Sequence, residues 1–182
     1  MSEETSKKRL TIKAKQNWRK NDEYYTPAYA VKPLIKYLIN KNYHTIWESA
    51  ALKDKKSEIT QELEKVGMNV IETTIHRGQD FLNYEPEFDF DIIITNPPYS
   101  LKTPFLKRAY QLNKPFALLL PLTALEGIER NKLYRKHGLE LLIFDKRVDF
   151  KKDSSGVWFA TAWFCHNLLP EKLVFEKLIK KR

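Results

Sequence analysis

From Ala30 onward apolar residues recur at helical spacing, and Ala30, Val31, Leu34, Ile35 and Leu38 predict an amphipathic helix. Thr26 is placed to cap it, with Pro27 at the first helical position, where a missing N–H is tolerated. Thr45-Ile46-Trp47 predicts a short strand. Ile59, Leu63 and Val66 then mark the buried face of a helix over 57–66, opened by Ser57 and ended by Gly67. Strands are predicted over 68–75 and 90–95, the second almost wholly β-branched and therefore central and buried on both faces. A helix over 103–112, a strand over 116–120, a helix over 125–136 stopped by Gly138 and a strand over 139–144 follow. Beyond Phe144 the texture changes: residues 147–150 and 158–165 flank a polar loop and predict an antiparallel hairpin. Strands alternating with helices, then a late hairpin, predict a doubly wound, mostly parallel, Rossmann-like α/β sheet with an antiparallel edge.

Composition narrows the class. Hydrophobic residues make up 42% of the 182 and aromatics 13%, enough for one packed core and too much for a disordered chain. No run approaches the ~20 apolar residues of a membrane helix, and the polar start MSEETSKKRL has no signal-peptide core. The expectation is a cytoplasmic protein with no membrane partner. One cysteine, Cys165, excludes a disulfide framework, and His44, His76, His137 and His166 lack ligand spacing, so no metal site is expected.

The net charge of +9 sits at the ends. Residues 1–20 carry seven basic side chains (Lys7, Lys8, Arg9, Lys13, Lys15, Arg19, Lys20) against two acids, and residues 171–182 carry five against two. The chain therefore divides into a basic arm (1–21), a near-neutral domain (22–170) and a basic tail (171–182). Basic ends suit a phosphate backbone or an acidic protein surface; solubilising tails are the plainer alternative. Lys151 and Lys152 join the arm as candidate nucleic-acid contacts, and a solvated loop explains them equally well.

The sharpest chemistry follows the strand Asp91-Ile92-Ile93-Ile94-Thr95, where Asn96-Pro97-Pro98-Tyr99 stands at the end at which open α/β sheets bind ligands. Two prolines fix φ and remove two donors, leaving carbonyls without competing amides. The Asn96 amide oxygen and the Pro97 carbonyl can accept both hydrogens of an exocyclic amino group while Tyr99 stacks on the ring that bears it. This segment resembles the (Asn/Asp/Ser)-Pro-Pro-(Tyr/Phe/Trp) motif of amino-methyltransferases, above all those acting on adenine N6, including small phage-type enzymes. The resemblance covers about residues 22–165 and implies a methyltransferase fold, a catalytic role for Asn96, Pro97 and Tyr99, and S-adenosylmethionine as methyl donor. Tyr25-Thr26-Pro27 resembles an opening motif that contacts the cofactor, though a helix cap explains it equally. Gly78-Gln79-Asp80-Phe81 resembles the segment whose acid lies near the cofactor adenine, though a turn aspartate explains that too. Tyr25, Thr26, Glu48 and Asp80 are the candidate cofactor residues.

One part of the pattern is missing. The family carries a glycine-rich loop after its first strand, whereas this chain has Glu48-Ser49-Ala50-Ala51-Leu52-Lys53-Asp54-Lys55-Lys56 there, without a glycine. Left-handed positions on such residues would cost about 1–2 kcal/mol each. No extended target-recognition region follows Phe150 either, and Trp158, Phe159, Trp163 and Phe164 are expected in the core. Two readings stay open. One is a phage-type adenine-N6 methyltransferase of DNA or RNA. The other is an inactive methyltransferase-fold binder, encoded by a phage or prophage and acting in the bacterial host; in length and texture it resembles anti-CRISPR proteins that inhibit a type II effector nuclease.

Overall fold

The computed structural model describes residues 25–150 and 159–180. The candidate phosphate contacts Lys7, Lys8, Arg9, Lys13, Lys15, Arg19, Lys20, Lys151 and Lys152 lie outside the described residues.

Helix α1 (Ala28–Asn40) follows the apolar series, with Ala30, Val31, Leu34 and Leu38 fully buried. Its N-cap is Pro27 rather than Thr26: Pro27 is extended (φ −74°, ψ 146°), which moves the first helical residue to Ala28, and no side chain caps the turn. Strand β1 (Thr45–Glu48) leads to α2 (Glu58–Glu64), whose Ser57 accepts the Thr60 amide as a side-chain cap. Then come β2 (Asn69–Glu72), β3 (Ile92–Thr95), α3 (Lys102–Gln111), β4 (Phe116–Pro121), α4 (Ile128–His137), β5 (Glu140–Phe144), β6 (Thr161–His166) and β7 (Leu173–Glu176).

The seven strands form one sheet in the order β2-β1-β3-β4-β6-β5-β7. The pairs β1–β2, β1–β3, β3–β4 and β5–β7 are parallel, while β6 runs antiparallel to both neighbours, β4 and β5. The sheet is thus mostly parallel, with antiparallel pairing confined to the β6 side. Trp163 donates its indole N–H to the Ala30 carbonyl of α1 at 2.8 Å, while the Phe164 ring meets Tyr134 of α4 at 6.3 Å. Adjacent strand residues point to opposite faces, so α1 and α4 cover opposite faces and the sheet is doubly wound. Ile92, Ile93 and Ile94 of β3 and Phe116–Leu120 of β4 are fully buried, as β-branched and apolar runs covered on both faces should be.

Two expectations are corrected. The hairpin forms one strand earlier, between β5 and β6; residues 147–150 make no strand because Val148 and Phe150 instead pack into the core (1% and 7% exposed). The segment read as a basic tail contributes β7, whose backbone pairs with β5. Among the described residues no helix is long and apolar enough to cross a membrane.

Candidate functional site

The chain runs from β1 to β2 on one side of the sheet and returns to β3 on the other side of β1. The carboxyl ends of β1 and β3 therefore form the topological switch point, where open sheets place ligands. Glu48 ends β1, Glu72 ends β2 beside it in register, and Thr95 ends β3.

On the β3 side Asn96 is half-buried, and Pro97 and Pro98 are buried. Pro98 opens a single 3-10 turn, Tyr99–Leu101, closed by the Leu101 amide on the Pro98 carbonyl at 2.8 Å and continuous with α3. Lys102 donates to the Tyr99 carbonyl at 3.0 Å. Arg130 of α4 ties the loop after β4 to the start of α3, donating to the Ala124 carbonyl at 2.8 Å and to Thr103 Oγ1 at 2.7 Å. The tetrapeptide is therefore braced on the side that runs into α3. Tyr99 is only 7% exposed, and its ring meets Phe159 (5.6 Å, 74°) and Phe150 (6.4 Å, 82°) at steep angles. It belongs to an aromatic trio rather than standing as a bare stacking surface.

The β1 side is acidic and self-engaged. Glu48 is 1% exposed; its Oε1 accepts the Thr95 hydroxyl at 2.5 Å and the Ala50 amide at 3.3 Å. Its Oε2 is buried and has no partner among the described residues. Burial pushes the carboxyl from 4.5 up to about 8, against the bonds from Thr95 and Ala50, which lower it, while the neighbouring Glu72 charge raises it further. Glu72 accepts the Thr60 hydroxyl at 2.5 Å and the Ser57 amide at 3.4 Å, so the first turn of α2 takes up the second acid. The loop after β1 is tied to the segment after β2: the Ala51 amide donates to the Thr73 carbonyl at 3.0 Å. No residue of 49–57 has a positive φ, so the glycine-free loop avoids left-handed strain by taking a different path.

The remaining candidates fall around this edge. Lys55 lies over the Tyr25 ring at 4.7 Å, so the β1 loop touches the segment before α1; Thr26 is buried. Asp80 accepts the Leu82 amide at 3.1 Å and the Asn83 side chain at 3.4 Å, the contacts of a turn aspartate. Its neighbour Phe81 is 2% exposed, stacked on Phe105 at 4.8 Å and edge-on to Trp47 at 5.2 Å. Glu48 and Asn96 are thus brought together through Thr95, while Tyr25 meets the β1 loop at Lys55 and Asp80 holds a local turn. Sequence reasoning missed Glu72 and Thr95. The sequence signal for Glu72 was an acid closing a strand, as Glu48 does, but only the register of β1 against β2 pairs them.

No family model matches this sequence, and no curated protein matches it. Among solved structures, the chain is similar to a type I restriction-modification methyltransferase subunit from Streptococcus thermophilus (TM-score 0.56, 15% identity, 87% of this chain and 48% of the other). It is also similar to the modification subunit of a candidate type I restriction enzyme from Vibrio vulnificus (TM-score 0.48, 10% identity, 95% and 51%). The chain spans about half the length of each. The first likeness supports the fold: a methyltransferase-like, Rossmann-like domain.

That fold implies S-adenosylmethionine, and the residues at the end of β1 do not fit it. A carboxylate-bearing ligand there needs backbone donors from the β1 loop, yet the Ala50 amide is on Glu48 and the Ala51 amide on Thr73. The acid beside them, Glu72, already holds Ser57 and Thr60. A Glu48 carboxyl raised to about 8 is largely neutral at pH 7 and offers a cationic ligand little charge.

Proposed function

We propose that this protein binds nucleic acid on a methyltransferase fold, holding a base amine at Asn96 and Pro97, beside the packed Tyr99 ring, without transferring a methyl group. The observation that carries the reading is the internal use of the β1 loop: the Ala50 and Ala51 amides and both strand-end acids bond to the chain itself. Admitting a cofactor would strip those groups, at about 1–3 kcal/mol for each buried group left unsatisfied. The β3 side supports the binding half. The Asn96 amide oxygen and the Pro97 carbonyl suit an exocyclic amino group, and the flanking prolines fix them in place with little entropy to lose. A base leaving its stack costs a few kcal/mol, so an unstacked adenine is the favoured ligand. The basic residues of 1–20 and 171–182, with Lys151 and Lys152, would supply phosphate contacts.

The test is a salt series of titrations with single-stranded and duplex DNA, on the full chain and on a variant lacking residues 1–20. Each phosphate contact adds a log–log slope of about −0.9 on duplex and −0.7 on single strands, so the deletion should flatten the slope by several units. No DNA binding at low salt would overturn the reading and favour an acidic protein partner, such as a type II effector nuclease. A second reading, methyl transfer from S-adenosylmethionine to an adenine amine, draws on one observation: the buried Glu48 Oε2 has no partner among the described residues and, once its proton is lost, would accept from a ligand ammonium.

A further inference from the structure

Strand β7 closes one side of the sheet and, among the described residues, has a neighbour, β5, on one edge only. The Lys172 carbonyl accepts from Leu141 and the Glu176 carbonyl from Asp145, so residues 172, 174 and 176 turn their backbone toward β5. In a parallel ladder the alternate residues, Leu173 and Phe175, turn theirs outward. Their side chains are also exposed, at 53% and 72%, and Ile179 just beyond is 73% exposed. On the other face of β7, Glu176 is anchored to α1 by the Tyr37 hydroxyl and the Lys36 ammonium, both at 2.5 Å. The strand is thus held rigidly while, among the described residues, it offers an unpaired backbone edge and an apolar face. An uncovered edge of this kind is a template for strand pairing.

The sequence around it reads Glu171-Lys172-Leu173-Val174-Phe175-Glu176-Lys177 and is complementary to itself when reversed. Antiparallel pairing of two copies about Val174 sets Leu173 opposite Phe175, Lys172 opposite Glu176, and Glu171 opposite Lys177. The same register makes Leu173 and Phe175, whose backbones face outward, the hydrogen-bonded pairs. A slip of one residue would turn every side chain to the wrong face. A slip of two sets Glu171 against Phe175 or Lys177 against Leu173, opposing charge to apolar surface. One register alone satisfies backbone, apolar face and charge together.

We propose that two copies of this chain associate through β7, antiparallel about Val174, extending one sheet across both. The pairing lies at the opposite end of the strand order from β1 and β2 and stands independently of the nucleic-acid reading. Sedimentation of the full chain in about 150 mM salt, which screens the repulsion between two +9 chains, tests it. The wild type should form a dimer at micromolar concentration, and Phe175→Lys, at an exposed position that leaves the core untouched, should be monomeric. Glu171→Lys or Lys177→Glu alone should weaken the dimer about tenfold, since each change opposes like charges twice across the two-fold axis. The double swap Glu171→Lys/Lys177→Glu should restore it. A wild type monomeric up to about 100 µM, far weaker than a specific interface requires, would overturn the proposal. So would a dimer indifferent to Phe175→Lys, or single variants weakened without rescue by the double swap.

Discussion

The two halves of the switch point differ in how their polar groups are used. On the β3 side, Asn96 to Tyr99 are fixed by two prolines, a 3-10 turn and the Arg130 clamp behind them. On the β1 side, Glu48, Glu72 and the loop 49–57 bond to one another and to the first turn of α2. Thr95 joins the halves, since it ends β3 and donates to Glu48 of β1. A site on an α/β sheet can therefore be altered on one strand while its neighbour keeps its shape. The β1 half is held by the chain's own donors: Thr95 and Ala50 on Glu48, Ser57 and Thr60 on Glu72. Among the described residues two atoms break that closure: Glu48 Oε2 and Ser49 Oγ are buried without a partner, and burial is what raises the Glu48 carboxyl.

The largest expected effect follows from that carboxyl. Folding raises it from 4.5 to about 8, so between those values the folded protein keeps a proton that the unfolded chain releases. The stabilisation is complete below about pH 4.5 and drains as pH rises through 8, at ~1.4 kcal/mol per pH unit, or up to about 5 kcal/mol in all. Glu48→Gln keeps the shape without the charge. Denaturant unfolding from pH 5 to pH 9 should show a variant with wild-type stability at pH 5 and a clear advantage at pH 9. Parallel pH curves for the two proteins would remove the buried-carboxyl account.

Thr95→Val comes next. It deletes the 2.5 Å hydroxyl bond to Glu48 from a fully buried position and should cost about 1.5–3 kcal/mol, more at pH 9 than at pH 6 because the bond favours the ionised acid. An equal loss at both pH values would mean that Thr95 serves packing alone. On the other half, Asn96→Ala should weaken binding of an adenine-containing single strand about tenfold, the scale of one well-placed polar contact, with unchanged unfolding. Undiminished affinity would release Asn96 from the base site. Lys55→Ala should produce the smallest change, within about 1 kcal/mol by thermal unfolding, since its contact with the half-exposed Tyr25 ring is solvated.

The same contrast governs what was legible in the sequence. The alternation of β-branched strands and periodic helices, the Ser57 cap and the position of Asn96-Pro97-Pro98-Tyr99 after a buried strand rest on local chemistry and stand in the structure. Tertiary pairing was harder to read. Leu173–Glu176 lies in a lysine-rich stretch and gains its strand only from β5 and from the anchoring of Glu176 on α1. Residues 147–150 have strand composition, yet burial of Val148 and Phe150 takes them into the core instead. The absence of glycine after β1 was visible. That the chain would take up this loop and the acid beside it was not, because Ala51 bonds to Thr73 beyond β2, and Glu72 to Ser57 and Thr60 at the start of α2.

The closed β1 half is tested most directly by calorimetric titration of the full chain with S-adenosylmethionine, repeated with Glu48→Gln. The account predicts no binding heat at millimolar cofactor, a ceiling of about −4 kcal/mol, for either protein. Micromolar binding by the wild type, lost in Glu48→Gln, would contradict it and make Glu48 Oε2 a cofactor contact.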